Sequence, residues 1–392
     1  MITVVLKKER ERSVQKGHPW IFSGSIARVE GDQEHSDGAP CFIRSMSGTL
    51  LGNGYYNSRS SIRVRVWGYD NLILDKSQLE KRIRQAISLR YSLLESKSGD
   101  SCRLINSEGD FIPGLIVDKF GKGLCIQIQT AGMDRMRLEI IQLLKDLLKP
   151  DFIYERSDTD SAEREGLVPH NQLVSGVIPD NFTISEQGLL FAVDVTSGQK
   201  SGFFLDQREN RMLLREYCSG KNVGDCFCYS GGFSLNALQG GAASVISIDS
   251  SSAALELVKK NIALNEFDQN RSSVVEADIF KYLRTADESF DTIILDPPKF
   301  ARHPGEVDQA ARGYKDINLQ ALKKINSGGI LFTFSCSGAV DFRLFRQIVY
   351  GAAIDAGRSV QILHRLSQPA DHPVNISHLE GEYLKGLVLR VL

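Results

Sequence analysis

The sequence predicts an α/β fold in its C-terminal half, preceded by a small β-barrel and a small α+β region. Three observations carry this reading. From about residue 185 onward, apolar strand-like runs alternate with helical stretches: NVGDCFCY, SVISIDS, SSVVEAD, FDTIILD and GILFTFS. Such runs, apolar along their length, belong to parallel strands covered on both faces. Residues 1–68 read instead as short strands between glycine-rich turns. Finally, 392 residues are too many for one ordinary core, so two or three domains are expected. The boundaries fall at 1–70, 71–184 and 185–392.

Composition narrows the classes. Hydrophobic residues make up 42%, enough for globular folding, and the formal net charge is −1. There is no global polycation for nucleic acid, so any such binding needs local patches. The seven cysteines, at 41, 102, 125, 218, 226, 228 and 336, are scattered and odd in number. That argues against a disulfide framework and for reduced thiols in a cytoplasm. No C-x-x-C occurs, and Cys226-x-Cys228 lacks a second ligand pair, so no metal is expected. The start, MITVVLKKERERSVQKGHPW, has too short an apolar run for a signal peptide. No stretch reaches the ~18 apolar residues of a membrane span.

Within the first region, RSSIRVRVW (59–67) alternates. Ile62, Val64 and Val66 face one way; Arg59, Ser61, Arg63, Arg65 and Trp67 face the other. Taken alone, the arginine face reads first as a solvated strand face. It also offers positive charge beside an indole, which suits a phosphate backbone and a base. SQLEKRIRQAISLRYSLLES follows as a helix, with Ser77 as cap, Glu80 completing a capping box, and an apolar stripe of Leu79, Ile83, Ile87, Tyr91 and Leu94. Next, DFIPGLIVDKFGKGLCIQIQT reads as a hairpin turning at Gly121-Lys122-Gly123. MRLEIIQLLKDLLKP is an amphipathic helix stopped by Pro150, and DFIYERSD a strand.

In parallel sheets ligands bind beyond the strand carboxyl ends, so the functional residues of the last region should lie where strands finish. The first strand runs into DCFCYSGGFSLNAL, where Gly231-Gly232 allows a sharp turn and close approach to a ligand. This is not G-x-G-x-x-G and suits a pyrophosphate poorly. The second strand ends at Asp249, placed to accept from both hydroxyls of a ribose. The third ends at Asp278, placed to accept from an exocyclic adenine amine, with Ile279 and Phe280 beside the ring. Either acid alone reads as a helix cap; two at successive strand tips after a Gly-Gly turn describe a nucleoside pocket. The fourth strand ends in Asp296-Pro297-Pro298-Lys299-Phe300, where the prolines stop the strand just after the carboxylate. The fifth ends in Ser335-Cys336-Ser337. A cysteine there could be packing; in company with Asp296 it reads as a nucleophile.

With these residues in place, the C-terminal half resembles class I S-adenosylmethionine-dependent methyltransferases, whose domain is Rossmann-like. The whole chain resembles the RlmI-type family of bacterial large-subunit (23S) ribosomal RNA cytosine-C5 methyltransferases. The blocks are KGHPWIFSGSI (16–26), QKSGFFLDQRENR (199–211), CFCYSGGFS, IDSS, DPPKFA, GYKDINLQALKKI, FTFSCSG, PADHPV and EGEYLKG. The resemblance implies an N-terminal PUA domain, a central α+β domain, a catalytic domain, S-adenosyl-L-methionine as cofactor and ribosomal RNA as partner. It implies that Phe203, Asp206, Arg208 and Asn210 shape the cofactor's surroundings. Tyr229, Ser230 and Gly231 would lie against its methionine part, Asp249 and Ser250 at the ribose, and Asp278 and Ile279 at the adenine. Asp296 would touch both the sulfonium side and the target base, and Cys336 would be the nucleophile. Arg59, Arg63, Arg65, Trp67 and Lys299 would contact RNA. A homodimer is compatible with the sequence.

One departure stands out. Many RNA cytosine-C5 methyltransferases carry a second cysteine in the fourth-strand motif; here that place holds Pro298, so another base must remove the C5 proton. Uracil-C5 transfer and transfer to a base nitrogen remain alternatives. So does a non-catalytic RNA-binding role. The absent G-x-G-x-x-G weighs against a dehydrogenase.

Overall fold

The computed structural model describes the chain apart from residues 33–35, 71–74, 95–98, 199 and 302, and apart from the side chains of Leu94 and Pro304. Packing divides it into two units. The first holds residues 1–184, 193–203 and 370–381; the second holds 185–192, 204–369 and 382–392. The residues expected as a barrel domain and a central domain thus pack in one unit, joined by two later segments.

In the first unit, six strands form one sheet in the order Trp20–Phe22, Ile62–Gly68, Leu50–Tyr56, Ala39–Arg44, Ile2–Leu6 and Ile26–Glu30. Val64 and Val66 bury in its core beside Val4, Leu6 and Ile43, as the alternation predicts. The opposite face of that strand differs from the expectation. Trp67 is buried in a different core, among Leu79, Ile83 and the apolar residues of the central sheet. Arg65 is ion-paired to Glu108 at 2.9 Å and Glu165 at 3.2 Å. The physical reason is that the face is packed rather than solvated, so these two side chains satisfy neighbours inside the unit. Arg59 remains on the surface, bonded to Asp37.

The central sheet has the order Asn171–Gly176, Phe152–Arg156, Gly123–Ile128, Leu115–Phe120, Cys102–Asn106. Its hairpin turns where expected, with Phe120 opposite Gly123. The helix before it spans Lys76–Leu94. Its first turn is capped by Asp75, whose carboxylate accepts from the Gln78 amide at 2.8 Å, rather than by Ser77. The helix begins at Lys76, which puts Ser77 inside the first turn; Glu80 pairs instead with Arg84. Leu79, Ile83 and Ile87 are buried as the stripe requires, but Tyr91 is exposed. Arg90 is fully buried in its place, held bidentately by Asp110 at 2.5 and 2.6 Å. The Leu94 side chain lies outside the described residues.

The second unit is built on seven strands: β1 (Asn222–Cys226), β2 (Ser244–Asp249), β3 (Ser272–Glu276), β4 (Phe290–Leu295), β5 (Ile325–Ser335), β6 (Val360–Leu366) and β7 (Lys385–Val391). Their order is β3-β2-β1-β4-β5-β7-β6. The first five run parallel, and β7 is antiparallel to both its neighbours. A helix over Arg208–Leu214 precedes the sheet, and the helices that follow its strands are α1 (Gly232–Gln239), α2 (Ser252–Leu264), α3 (Ile279–Thr285), α4 (Val307–Lys324) and α5 (Phe342–Asp355). The order reverses at β1, where β1 lies between β2 and β4, and a ligand crevice opens at such a switch point. The core under the sheet is large, with Leu295, Tyr314, Ile317, Leu331 and Phe345 all fully buried.

Candidate active site

β1 leaves the sheet at Cys226 and turns through a loop of unusual backbone. Phe227, Tyr229 and Gly231 have φ of 64°, 48° and 81°. Two of these are not glycine, so the loop carries strain that its surroundings must hold. They do so at three points. The Tyr229 amide donates to Asp249 Oδ2 at 3.0 Å, Asn261 Nδ2 donates to the Ser230 carbonyl at 2.8 Å, and the Gly231 amide donates to the Cys228 carbonyl at 2.9 Å. Gly231 sits at a φ that L residues rarely adopt, and a Cβ there would crowd Leu235 at 3.1 Å and Val258 at 3.3 Å.

Asp249 ends β2 and is pinned at both oxygens, because the Ser251 amide donates to Oδ1 at 3.0 Å. Ser250 beside it is exposed. Asp278 is the N-cap of α3, accepting from the Lys281 amide at 2.8 Å. It is also exposed, so capping and contact with a ligand are compatible. Ile279 differs from its expectation: it is 3% exposed and belongs to the core. As the first residue of α3, it points its apolar side chain under the sheet. Phe280 instead lies partly buried against Phe300, centroids 5.9 Å apart.

Under the loop lies a carboxylate that the sequence reading did not single out. Asp225 on β1 is buried; its Oδ2 accepts from Ser234 Oγ at 2.6 Å, while Oδ1 has no partner among the described residues. Burial pushes its pKa up to about 7, and Asp296 and Asp249 push the same way. Three carboxylates thus lie at the ends of β1, β2 and β4, and the buried one, Asp225, resists taking a charge beside the other two.

β4 and β5 pair in parallel with Leu295 opposite Thr333, which brings the Asp296-Pro297 turn next to Ser335-Cys336-Ser337. The Cys336 thiol points at the Pro297 carbonyl, 3.8 Å away. Of the seven cysteines, six are buried and only Cys336 is partly open. Burial raises the pKa of Cys41 to about 12, and raises those of Cys125, Cys226 and Cys228 as well; these are inert core thiols. The backbone around Cys336 is tightly held. Ser337 Oγ accepts from the Ala301 amide at 3.1 Å and shares a hydrogen bond with the Tyr314 hydroxyl at 3.0 Å. Lys385 on β7, also missed by the sequence reading, donates to the Ser337 carbonyl at 2.7 Å. Lys299 is exposed on the turn after β4.

Asp206, Arg208 and Asn210 sit on the buried segment leading into the unit. Tyr383 donates to Asp206 Oδ2 at 2.8 Å, and Asn210 Nδ2 donates to Gln207 Oε1 at 2.6 Å. Tyr229 meets Phe204 edge-on, centroids 5.3 Å apart. Phe203 is buried and belongs to the first unit.

A reversed-order sheet with an antiparallel seventh strand, a glycine turn after β1 and acids at the tips of β2 and β4 make up the architecture expected of a Rossmann-like transferase. Comparison with known proteins agrees. Residues 168–389 match the model of S-adenosylmethionine-dependent methyltransferases, and residues 4–69 match a PUA-like domain. Ribosomal RNA large subunit methyltransferase I of Escherichia coli O139:H28 is 42% identical, covering 100% of both chains. The protein of that name from Shigella dysenteriae serotype 1 is also 42% identical, over 100% of this chain and 99% of its own. A solved structure assigned as a SAM-dependent methyltransferase from Streptococcus mutans superposes with a TM-score of 0.86 at 22% identity, with both chains fully covered. A second solved methyltransferase, complexed with SAH, has the same TM-score and identity over both full chains. The protein is thus an S-adenosylmethionine-dependent methyltransferase with a PUA-like N-terminal domain. The chain belongs to the ribosomal RNA large subunit methyltransferase I family.

S-adenosyl-L-methionine fits the residues present. Gly231 holds a left-handed backbone that suits close approach, Asp249 is held ready by two amides, and the buried Asp225 Oδ1, without a partner among the described residues, adds an acceptor to the floor. No helix among the described residues is long and apolar enough to cross a membrane.

Proposed function

We propose that this chain methylates C5 of a cytosine in large-subunit (23S) ribosomal RNA, with Cys336 as a covalent nucleophile. Relatives 42% identical over their full length carry the ribosomal RNA name, which supports the substrate class. The observation that carries the chemistry is the position of one thiol. Cys336, alone among seven cysteines in being partly open, ends β5 beside the Asp296-Pro297 turn.

C5 of cytosine is a poor nucleophile. The Cys336 thiolate adds to C6, forming an S–C6 bond as the C5–C6 double bond opens, and electron density moves to N3. Asp296, in its protonated form, donates to N3 and accommodates that charge. C5 is then enamine-like. When bound, the cofactor supplies an electrophilic methyl group on its sulfonium. Loss of the C5 proton to a base and expulsion of the thiolate restore the ring as 5-methylcytosine. The target base must leave any helical stack to reach the thiol.

Cofactor binding is assigned to the loop Tyr229-Ser230-Gly231, to Asp249 and Ser250 at the ribose and to Asp278 at the adenine, with Asp206, Arg208 and Asn210 supporting the crevice. Arg59, Arg63 and Lys299 are assigned to RNA phosphates. Arg65 and Trp67 are withdrawn from that set because their side chains are occupied inside the first unit.

Nucleoside analysis of ribosomal RNA treated with protein and cofactor tests the reading. The expected product is 5-methylcytidine, with Cys336→Ala at least ~1,000-fold slower, since covalent activation of C5 is lost. Normal turnover by that variant, or a methylated nitrogen as product, removes the proposal. Asp249→Ala should weaken cofactor binding roughly 10- to 100-fold, the cost of losing charged hydrogen bonds. Unchanged affinity by calorimetry would mean the pocket is misassigned.

A further inference from the structure

The chemistry proposed above needs Cys336 as a thiolate, and an anion at the end of an apolar strand needs something to hold it. Lys385 stands where such a group should be. It lies in the run YLKGLVL, and its residue is 4% exposed. In the antiparallel pairing of β5 with β7 it faces Ser335, the residue just before Cys336. Its Nζ donates to the carbonyl of Ser337, the residue just after Cys336, and to the carbonyl of Tyr383, both at 2.7 Å. The strand pairing thus sets the lysine backbone beside Ser335, and the amine is anchored on the residue just after Cys336. Its third N–H has no acceptor among the described residues.

A buried ammonium ordinarily sits against a carboxylate, because an unpaired charge there costs several kcal/mol. No carboxylate bonds Lys385 among the described residues. Burial lowers its pKa to about 8. Of the groups acting on it, Cys336 is the strongest that favours the charged form, ahead of Asp341, while Lys299 opposes it. Asp341 is committed as the N-cap of α5, accepting from the Leu344 amide at 2.7 Å. Tyr314, which reaches the same loop from α4, is kept neutral by burial.

We propose that Lys385 is the counter-ion of the Cys336 thiolate, a positioning residue that stabilises the charged form of the nucleophile. A neighbouring ammonium is a recognised way of bringing a thiol into the ionised state near neutral pH. The ammonium is fixed by two backbone carbonyls, so it holds its place whether or not RNA is bound. No cation acts on the buried thiols at Cys41, Cys226 or Cys228, and at Cys125 burial outweighs the two arginines nearby.

The inference rests on reading Cys336 as the nucleophile, but its test needs no RNA. Because Cys336 is the one partly open thiol, the rate of its alkylation by iodoacetamide, followed on its own peptide by mass spectrometry, reports its ionisation against pH. In Lys385→Met the midpoint should rise by about one pH unit or more, a tenfold loss of thiolate at fixed pH below it. Lys385→Arg should stay near the wild type. An unchanged midpoint in Lys385→Met overturns the proposal. Should that variant not fold, Cys336→Ser leaves the lysine in place and reads the same coupling from the other side. The Lys385 titration, followed by lysine Cε NMR, should then move below its wild-type value of about 8; no movement overturns the proposal equally. A shifted alkylation midpoint together with absent RNA methylation dependence on Cys336 would remove the nucleophile reading and leave the ion pair standing.

Discussion

At the scale of single residues, the site is a contest among carboxylates. Asp225 is the buried member, with its ionisation pushed up to about 7 by burial and then by Asp296 and Asp249. The sign of its effect on stability follows. Its folded value lies above the ordinary 3.8, so its contribution to stability is fully present below pH 3.8 and is lost as pH rises through about 7. Over that window the unfolded chain ionises while the folded one resists. Asp225→Asn removes the titration, so its melting temperature should decline less than the wild type's between pH 5 and pH 8. Identical declines in the two proteins would show that Asp225 is not the group responsible. Much of this constellation was legible in the sequence. Asp249, Asp296 and Cys336 end apolar strands, and strand ends are where a parallel sheet binds ligands. Asp225 and Lys385 were not legible, because each lies inside an apolar run where a charge reads as an exception. The run YLKGLVL did hold the signal, a cation at the head of an apolar run.

At the scale of elements, the loop after β1 concentrates the strain. Phe227 and Tyr229 hold left-handed backbone that non-glycine residues adopt at a cost of roughly 1 kcal/mol or more each. Hydrogen bonds from Tyr229 to Asp249 and from Asn261 to Ser230 offset that cost. Gly231→Ala adds a Cβ 3.1 Å from Leu235 in the same left-handed region. It should destabilise the protein by about 1–2 kcal/mol and weaken cofactor binding, read from urea unfolding and calorimetry. A variant as stable as wild type would mean that the loop relaxes freely. Gly-Gly was visible in the sequence, but the two strained residues before it were not, since neither phenylalanine nor tyrosine announces a positive φ. Helix boundaries show the same limit. Ser77 with Glu80 reads as a capping box, yet the helix begins at Lys76 and Asp75 caps it, because which of two neighbouring polar residues caps depends on where the preceding chain enters.

At the scale of the whole molecule, the five parallel strands of the second unit were legible in its rhythm of apolar runs and helices, their order and the two last strands were not, and the family resemblance added the PUA-like region. What the sequence could not reveal was the packing of the arginine strand in the first unit. Arg65 meets Glu108 and Glu165, partners 43 and 100 residues away, and alternation says nothing about what covers the second face. Burial alone would raise the Glu108 pKa, but Arg65, Ser107 and Trp20 outweigh it and hold it below the usual value. Its stabilising effect is therefore present above the ordinary glutamate range and is lost as pH falls through the lowered value. Arg65→Met leaves two buried carboxylates without their cation and should cost about 3–5 kcal/mol in denaturant unfolding. A loss below 1 kcal/mol would indicate a solvated strand face after all.

The most direct measurement of the central claim uses ribosomal RNA carrying 5-fluorocytidine at its cytosines, incubated with the protein and S-adenosyl-L-methionine. Fluorine at C5 cannot leave as a proton does, so the S–C6 bond formed by Cys336 should persist. The account predicts a protein–RNA adduct that survives denaturation and disappears in Cys336→Ala. No adduct, while methyl transfer to unsubstituted RNA proceeds, would contradict covalent cytosine-C5 catalysis and remove Cys336 from the reaction.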